Sequence, residues 1–498
     1  MSRGRARAIM LQATGSHAGK TVLVAGLCRL LARRGLRVRP FKSQNMSLNA
    51  HVAADGGEMG WAQVMQAEAA GVPARVEMNP ILLKPRAEAR SQVVLLGRVL
   101  READAVGYYR LTPRLWPAVR RSYETLAREA DVVVIEGAGS PAEPNLMRRD
   151  LANMRVARLA RAPVLLVGDI DRGGVFASLL GTMVLLPPAD RRRVRGFLIN
   201  KFRGDAALLR PAVRDLVRRT RVPVVGVMPW LPRLGLPEED SLALEAAVPA
   251  TRRGLRVAVL RLPHLANFTD FAPLEAEAGV DLVYAEEPAD LAGAALLVLP
   301  GSKDTIADLR ALKARGLAAA VADHRARGGA VLGICGGYQM LGRAVADPHG
   351  IESGGEEAGL GFLPVRTTLG RRKVTRRVRA RWRPDGPGFE GYEIHVGATV
   401  AEGPDRSPLP DRPLLDVEGE PEGCASDDGR VWGTHLHGLF ESGPARRHVL
   451  DWARGTPAVE GAPPPADHRA LREAAYDRLA DALAAALDEQ LLRDLGVS

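Results

Sequence analysis

Cysteine is scarce in this chain: Cys28, Cys335 and Cys424 are the only three in 498 residues. None sits at a CxxC or Cys/His ligand spacing, which excludes a disulfide framework and a structural zinc site and suits a reducing compartment. Aromatic residues are few, at 4%, too sparse for a base-stacking platform. There is no unbroken apolar run of membrane-spanning length. The N-terminal MSRGRARAIMLQATG is basic and then apolar, but its apolar part is too short for a signal peptide and runs into a glycine loop. These absences together read as a cytoplasmic chain.

Charge of one sign dominates instead. The formal net charge is +11, which would suit nucleic acid or a small anionic partner. The densest run, GRRKVTRRVRARWR (Gly370 to Arg383), alternates basic and apolar residues with the period of a strand. That pattern predicts a solvated sheet face, not a groove reader, so neither nucleic acid nor membrane is expected as a partner.

The length exceeds what one core supports. In the first half, short β-rich runs are each followed by a helical pattern: AIMLQAT, DVVVIEGAG, APVLLVGDID, VRGFLINKF and VPVVGVMPW. They are continuously apolar, as parallel strands covered on both faces must be. The stretch Leu231 to Gly254 holds prolines and no clean period, and reads as a linker. A second series follows: LRVAVLRLP, DLVYAEE, AALLVLPGS, GAVLGICGG and RVWGTHLHGLF. The expected architecture is therefore α/β, with two doubly wound domains at residues 1–245 and 254–447. A helical extension, 448–498, should follow; EGPDRSPLPDRP and EGAPPPADH read as loops.

Two glycine turns carry chemistry. AIMLQATGSHAGKTVLVAG is strand, loop, helix, and Gly19, Lys20 and Thr21 form the GK[ST] end of a phosphate-binding loop. Backbone N–H groups at the helix start would hold phosphate oxygens, Lys20 would reach the terminal phosphates, and the Thr21 hydroxyl would ligate Mg²⁺. Thr14 stands where the usual spacing has its first glycine. Glu136 ends a buried strand where a carboxylate lies beside such a loop, and Asp169 and Asp171 end the next one. Asp171 serves equally well as a helix cap. Asn200, in LINKF, sits where related nucleotide-hydrolysing enzymes read the adenine edge.

In AVLGICGGYQMLG, Cys335 ends a strand and a helix follows. A tight turn there exposes the apical thiol, aims the N–H of Gly336 at an oxyanion, and favours a thiolate beside the helix start. GTHLHGLF offers two histidines as its base, His435 and His437. On a strand both face the same way, so spacing does not choose between them.

These segments, with PFKSQNMSLN, MNPILLKP, LPGSKDT and GYEIHVG in the same order, make the chain resemble the cobyric acid synthase family, glutamine-dependent amidotransferases of cobalamin biosynthesis. The resemblance implies a dethiobiotin-synthetase-like P-loop domain followed by a class I glutamine amidotransferase domain with a flavodoxin-like sheet. It implies Cys335 as nucleophile and His437 as its base, with His435 in a packing or supporting role. Gly336 and Gly301 would form the oxyanion hole. Gly19, Lys20, Thr21, Lys42 and Asn200 would bind ATP, with Thr21 and Glu136 on Mg²⁺ and Asp55 or Glu58 as a further metal acid. His395 lies in a segment near the glutaminase site. Leu439 stands where many glutamine amidotransferases carry the glutamate that orients the histidine, so a Cys–His pair without a third member is expected. The implied substrates are ATP, glutamine and a corrinoid, adenosylcobyrinic acid a,c-diamide, amidated at its b, d, e and g carboxylates, with no tightly bound prosthetic group.

Overall fold

The computed structural model describes residues 6–86, 90–232, 234–236, 254–402, 412–455 and 465–494. Contacts divide the chain into two compact units: residues 1–47, 53–239 and 472–498, and residues 48–52 and 240–471. Most of the expected linker, Leu231 to Gly254, and of the two expected loops lies outside the described residues.

The first unit is built on a six-stranded parallel sheet in the order Val224–Pro229, Val194–Phe202, Val164–Asp169, Arg7–Ala13, Val132–Glu136, Val38–Phe41. Five strands are the apolar runs read from the sequence. Val38–Phe41 is short and carries Pro40, which an edge strand tolerates because one side of its ladder is open. A smaller sheet joins Gln44–Met46, Ile81–Pro85, Arg90–Leu95 and Arg98–Asp104.

The C-terminal segment is less of a surface element than expected. In the helix His468–Ala486, Tyr476, Leu479 and Leu483 are buried. They join the core beneath the helix Lys20–Arg33. Gly26 makes this possible, because a Cβ there would lie 2.5 Å from Leu483. Arg29 bonds Asp477 at 2.8 Å and Arg33 bonds Asp481 at 2.8 Å along the rim. The tail from residue 472 therefore completes the first unit, and is no separate extension.

The second unit has a sheet ordered Val280–Ala285, Leu255–Leu260, Leu296–Leu299, Ala330–Ile334, Val431–Thr434, all parallel, with Cys424–Ala425 added antiparallel. A long antiparallel hairpin, Val365–Trp382 against Gly388–Ala401, forms a second layer. The basic run from Gly370 lies on its first arm, where Arg371, Arg372, Arg377, Arg379 and Arg381 are exposed and Val378, Ala380 and Trp382 are buried. The alternation is the strand period seen in the sequence.

Candidate active sites

In the first unit the loop after Arg7–Ala13 leads into the helix Lys20–Arg33 through Gly19, whose φ of 85° lies in the left-handed region. A Cβ at Gly19 would also meet Asn200 Nδ2 at 2.4 Å, so glycine is required on both counts. The Lys20 amine donates to the carbonyls of Gly15, 3.0 Å, and Gly139, 3.1 Å. The Thr21 hydroxyl donates to Glu136 Oε1 at 2.8 Å. Lys42 Nζ reaches the same oxygen at 2.8 Å, and the Gln66 amide donates to Glu136 Oε2. Glu136 is fully buried, and a buried carboxyl group is accommodated only where such donors satisfy it. Asn200 Nδ2 donates to Ala18 O at 2.8 Å, and Lys201 Nζ donates to His17 O at 2.7 Å. Gly19, Lys20, Thr21, Lys42, Glu136 and Asn200 thus gather round one loop. Gln66 and Lys201 were missed: Lys201 follows Asn200 in LINKF, but nothing in either run marks its side chain as reaching the loop.

Thr21 Oγ1 and Glu136 Oε1, 2.8 Å apart, match the edge of about 2.9 Å that octahedral magnesium coordination requires, and both are hard oxygen donors. The residues fit the ion. The two further acids do not join them. Asp55 accepts from Gly57 N and Val76 N, fixing a turn. Glu58 is buried in an ion pair with Lys84 at 2.8 Å. Among the described residues no three His, Cys, Asp or Glu side chains cluster as a metal site. Asp169 pairs with Lys201 at 2.8 Å and Asp171 with Arg203 at 3.1 Å; the helix after Gly174 has no side-chain cap.

In the second unit Cys335 follows the buried strand Ala330–Ile334 and caps the helix Gly336–Leu341 with φ 54° and ψ −110°. A non-glycine residue held there is strained, as in other nucleophile turns. The turn is locked by close approach: a Cβ on Gly337 would lie 1.9 Å from Leu299 O, and one on Gly336 would lie 2.8 Å from Ser302 N. The Gly336 turn therefore abuts the Gly301–Ser302 loop that was expected to share the oxyanion. A Cβ on Gly301 would lie 3.2 Å from His437 Cε1, so that glycine makes room for the base. Cys335 Sγ lies 3.6 Å from Ile394 O.

His437 is almost fully buried and lies close enough to Cys335 for the thiol to raise its pKa. Its other side carries a partner the sequence reading denied it. Asp270 Oδ2 lies 2.6 Å from His437 Nδ1, and Asp270 Oδ1 accepts from Gly438 N at 3.3 Å. The Cys–His pair has a third member after all. It comes from a short helical turn, Phe268–Phe271, because Leu439 cannot supply a carboxylate. No local signal marked it, since Asp270 is 167 residues from the histidine. Burial alone would lower the His437 pKa, but Asp270 and Cys335 outweigh it and raise the value to about 10. At neutral pH a protonated His437 therefore stands beside the sulfur.

His435 stands apart from this chain of bonds. Its N–H donates to Glu422 Oε1 at 2.8 Å, its Nδ1 lies 3.3 Å from the same oxygen, and Nε2 lies 3.2 Å from Thr399 Oγ1. His395 stacks on it with centroids 4.2 Å apart. Burial pushes His435 down to about 4 and His395 down to about 3, and pushes Glu422 up. The distance resembles a salt bridge, yet burial leaves the His435 imidazole neutral near pH 7, so the contact is a hydrogen bond to a carboxyl group whose pKa burial has raised.

A pH dependence follows. Unfolded histidine takes a proton near pH 6.5, whereas folded His435 and His395 refuse it until about 4 and 3. Below 6.5 the unfolded state therefore binds more protons, and stability falls as pH drops toward 4. Each unit of depression is worth about 1.4 kcal/mol; Glu422, raised by burial, offsets part of it. Acid unfolding followed by near-ultraviolet circular dichroism should show a midpoint that moves to lower pH in His435→Gln. An unchanged midpoint would remove His435 as a cause.

Comparison with known proteins places these sites in context. Residues 9–243 match the family described as CobQ/CobB/MinD/ParA nucleotide binding domain, and residues 256–445 the CobB/CobQ-like glutamine amidotransferase domain. A cobyric acid synthase of Desulforudis audaxviator is 51% identical over 96% of this chain and 97% of its own length. Those of Halorhodospira halophila, 50% identical over 99% and 98%, and Rhizobium rhizogenes, 50% over 98% and 99%, are alike in extent. Among the described residues no helix is long and apolar enough to cross a membrane.

Proposed function

Because the chain belongs to the cobyric acid synthase family, we propose that Cys335 and His437 hydrolyse glutamine and that the Gly19–Lys20–Thr21 loop binds the ATP that activates a corrinoid carboxylate. The enzyme is a glutamine-dependent amide ligase with an ATP-binding P-loop domain. The observation that carries the residue assignment is the buried Cys335–His437–Asp270 series on a strained turn.

The Cys335 thiolate attacks the glutamine side-chain carbon. The tetrahedral oxyanion is met by the N–H of Gly336 and by the Gly301–Ser302 loop. His437, protonated and held by Asp270, gives its proton to the leaving nitrogen, and ammonia departs. The neutral imidazole then takes a proton from water, which attacks the thioester, releases glutamate and restores the thiolate. In the first unit, Lys20 moves from the loop carbonyls to the terminal phosphates, and the Asn200 amide oxygen accepts from the adenine amine while its nitrogen stays on Ala18 O. Thr21 and Glu136 would hold Mg²⁺, which when bound screens the phosphate charge. The γ-phosphoryl group passes to a substrate carboxylate; ammonia attacks the acyl phosphate, phosphate leaves, and an amide forms. The substrate is adenosylcobyrinic acid a,c-diamide and the product adenosylcobyric acid, after amidation at b, d, e and g.

The test is product mass over time with ATP, Mg²⁺, glutamine and the a,c-diamide. Four successive carboxylate-to-amide steps are expected. No step with the a,c-diamide, but two with cobyrinic acid itself, would make the protein an a,c-diamide synthase. ATP turnover indifferent to any corrinoid carboxylate would leave a nucleotide switch.

A further inference from the structure

The base and its carboxylate are held by a network of which the quoted motifs contain only Tyr392, in GYEIHVG. Tyr392, fully buried on the inner arm of the hairpin, lies parallel to the His437 ring, centroids 5.2 Å apart and 15° between planes. Its hydroxyl donates to Asp270 Oδ1 at 3.4 Å and accepts from Asn267 Nδ2 at 3.3 Å. Burial raises the Tyr392 pKa well above the ordinary phenol value, so the hydroxyl keeps its proton. Asn267 is 3% exposed and has φ 56°, a left-handed conformation in which asparagine is tolerated. Its remaining amide oxygen accepts the backbone N–H of Ala50 at 3.2 Å. On the far side of Tyr392 the His51 ring packs at 4.2 Å.

Ala50 and His51 belong to a stretch of only five residues, 48–52, that contacts place in the second unit although the chain on either side of it belongs to the first. Lys42, which bonds Glu136 in the nucleotide site, lies a few residues upstream in the same chain. A buried polar side chain that satisfies all its bonds does so at a cost in folding freedom. Here the bonds run in one direction, from a backbone N–H of the 48–52 segment through Asn267 and Tyr392 to the carboxylate that orients the base.

We propose that Asn267 and Tyr392 are positioning residues for glutamine hydrolysis, and that the Ala50 N–H anchors them, so that the glutaminase site is complete only with the Leu48–Val52 segment in place. This rests on the assignment of Cys335, His437 and Asp270 given above. The network touches no part of glutamine; it acts by fixing Asp270 and through it the His437 ring. It therefore bears on turnover and not on substrate binding.

Three full-length variants test it. Tyr392→Phe keeps the ring and removes the hydroxyl. Asn267→Gly keeps the left-handed backbone and removes the amide. Ala50→Pro removes the N–H alone from an extended segment. Each should lower glutaminase kcat about tenfold, the usual effect of losing one hydrogen bond to a charged group, with the KM for glutamine changed less than about twofold. Tyr392→Phe combined with Asn267→Gly should be no slower than Asn267→Gly alone, because the two act in series. Amidation supported by added ammonia should be retained, which also shows that the proteins are folded. Normal kcat in Tyr392→Phe and Asn267→Gly, or effects that multiply in the double variant, would overturn the proposal. Normal kcat in Ala50→Pro would overturn the anchor. If instead Cys335→Ala still hydrolysed glutamine, the assignment of the site itself would have failed.

Discussion

Cys335→Ala protein will release glutamate from glutamine at least about a thousandfold more slowly than the parent protein, yet will form amide from added ammonia at close to the parent rate. The first half of this result follows from geometry. Cys335 is the one thiol on the strained turn, close enough to His437 to shift its pKa, and Asp270 holds the Nδ1 of that ring. Cys28 and Cys424 are buried elsewhere, and burial raises the Cys28 thiol far above its ordinary value, so neither replaces it. The second half follows from the division of labour. Removing a sulfur from the second unit's turn leaves the phosphate loop, Glu136 and Lys42 in the first unit intact. The measurement is paired: glutamate release from glutamine, and amide formation from an ammonium salt at a pH where free ammonia is present. Loss of both activities would mean that the cysteine acts in amide formation itself.

Lys20→Met should do the reverse. Amide formation should fall by a factor of about 10²–10³ with glutamine and with ammonia alike, the usual loss when one fixed donor to developing charge is removed. The Lys20 amine bonds two loop carbonyls, Gly15 O and Gly139 O, so it is held at the loop mouth. Methionine keeps the length and the apolar stem while removing the charge. Glutamate release at saturating glutamine, measured without nucleotide, should persist, since the Cys335 series lies wholly within the second unit. Unchanged ammonia-dependent amidation would show that the terminal phosphates are not held by Lys20.

Much of this was legible in the sequence because it is local. Gly19–Lys20–Thr21 and Ile334–Cys335–Gly336 are each a strand, a turn and a helix in one short stretch, and Gly19, Gly336 and Gly337 stand where a positive φ or a close approach requires glycine. The parallel strands announced themselves by apolar runs covered on both faces. The basic stretch after Gly370 showed its period of two before it was seen in the hairpin. Leu439 was misleading for the same reason. A missing carboxylate at a local position reads as a missing carboxylate altogether, whereas the imidazole needs only one acid near Nδ1, whatever its place in the chain.

The amino-acid sequence alone determined the class of architecture and, through the order of its motifs, the family, and it singled out Cys335 and the Gly19–Thr21 loop as candidates. Tertiary structure alone decided that Asp270 bonds His437, that Tyr392 and Asn267 stand behind it, and that His435 bonds Glu422. It also decided that the tail returns to pack on the helix Lys20–Arg33, and that Leu48–Val52 belongs with the glutaminase. The physical reason is the range of the interactions. Turns and strand periods are set by backbone sterics among neighbours in sequence. A buried charge or hydroxyl is satisfied by whichever group folding brings within about 3 Å, and that group leaves no mark near its partner in the chain.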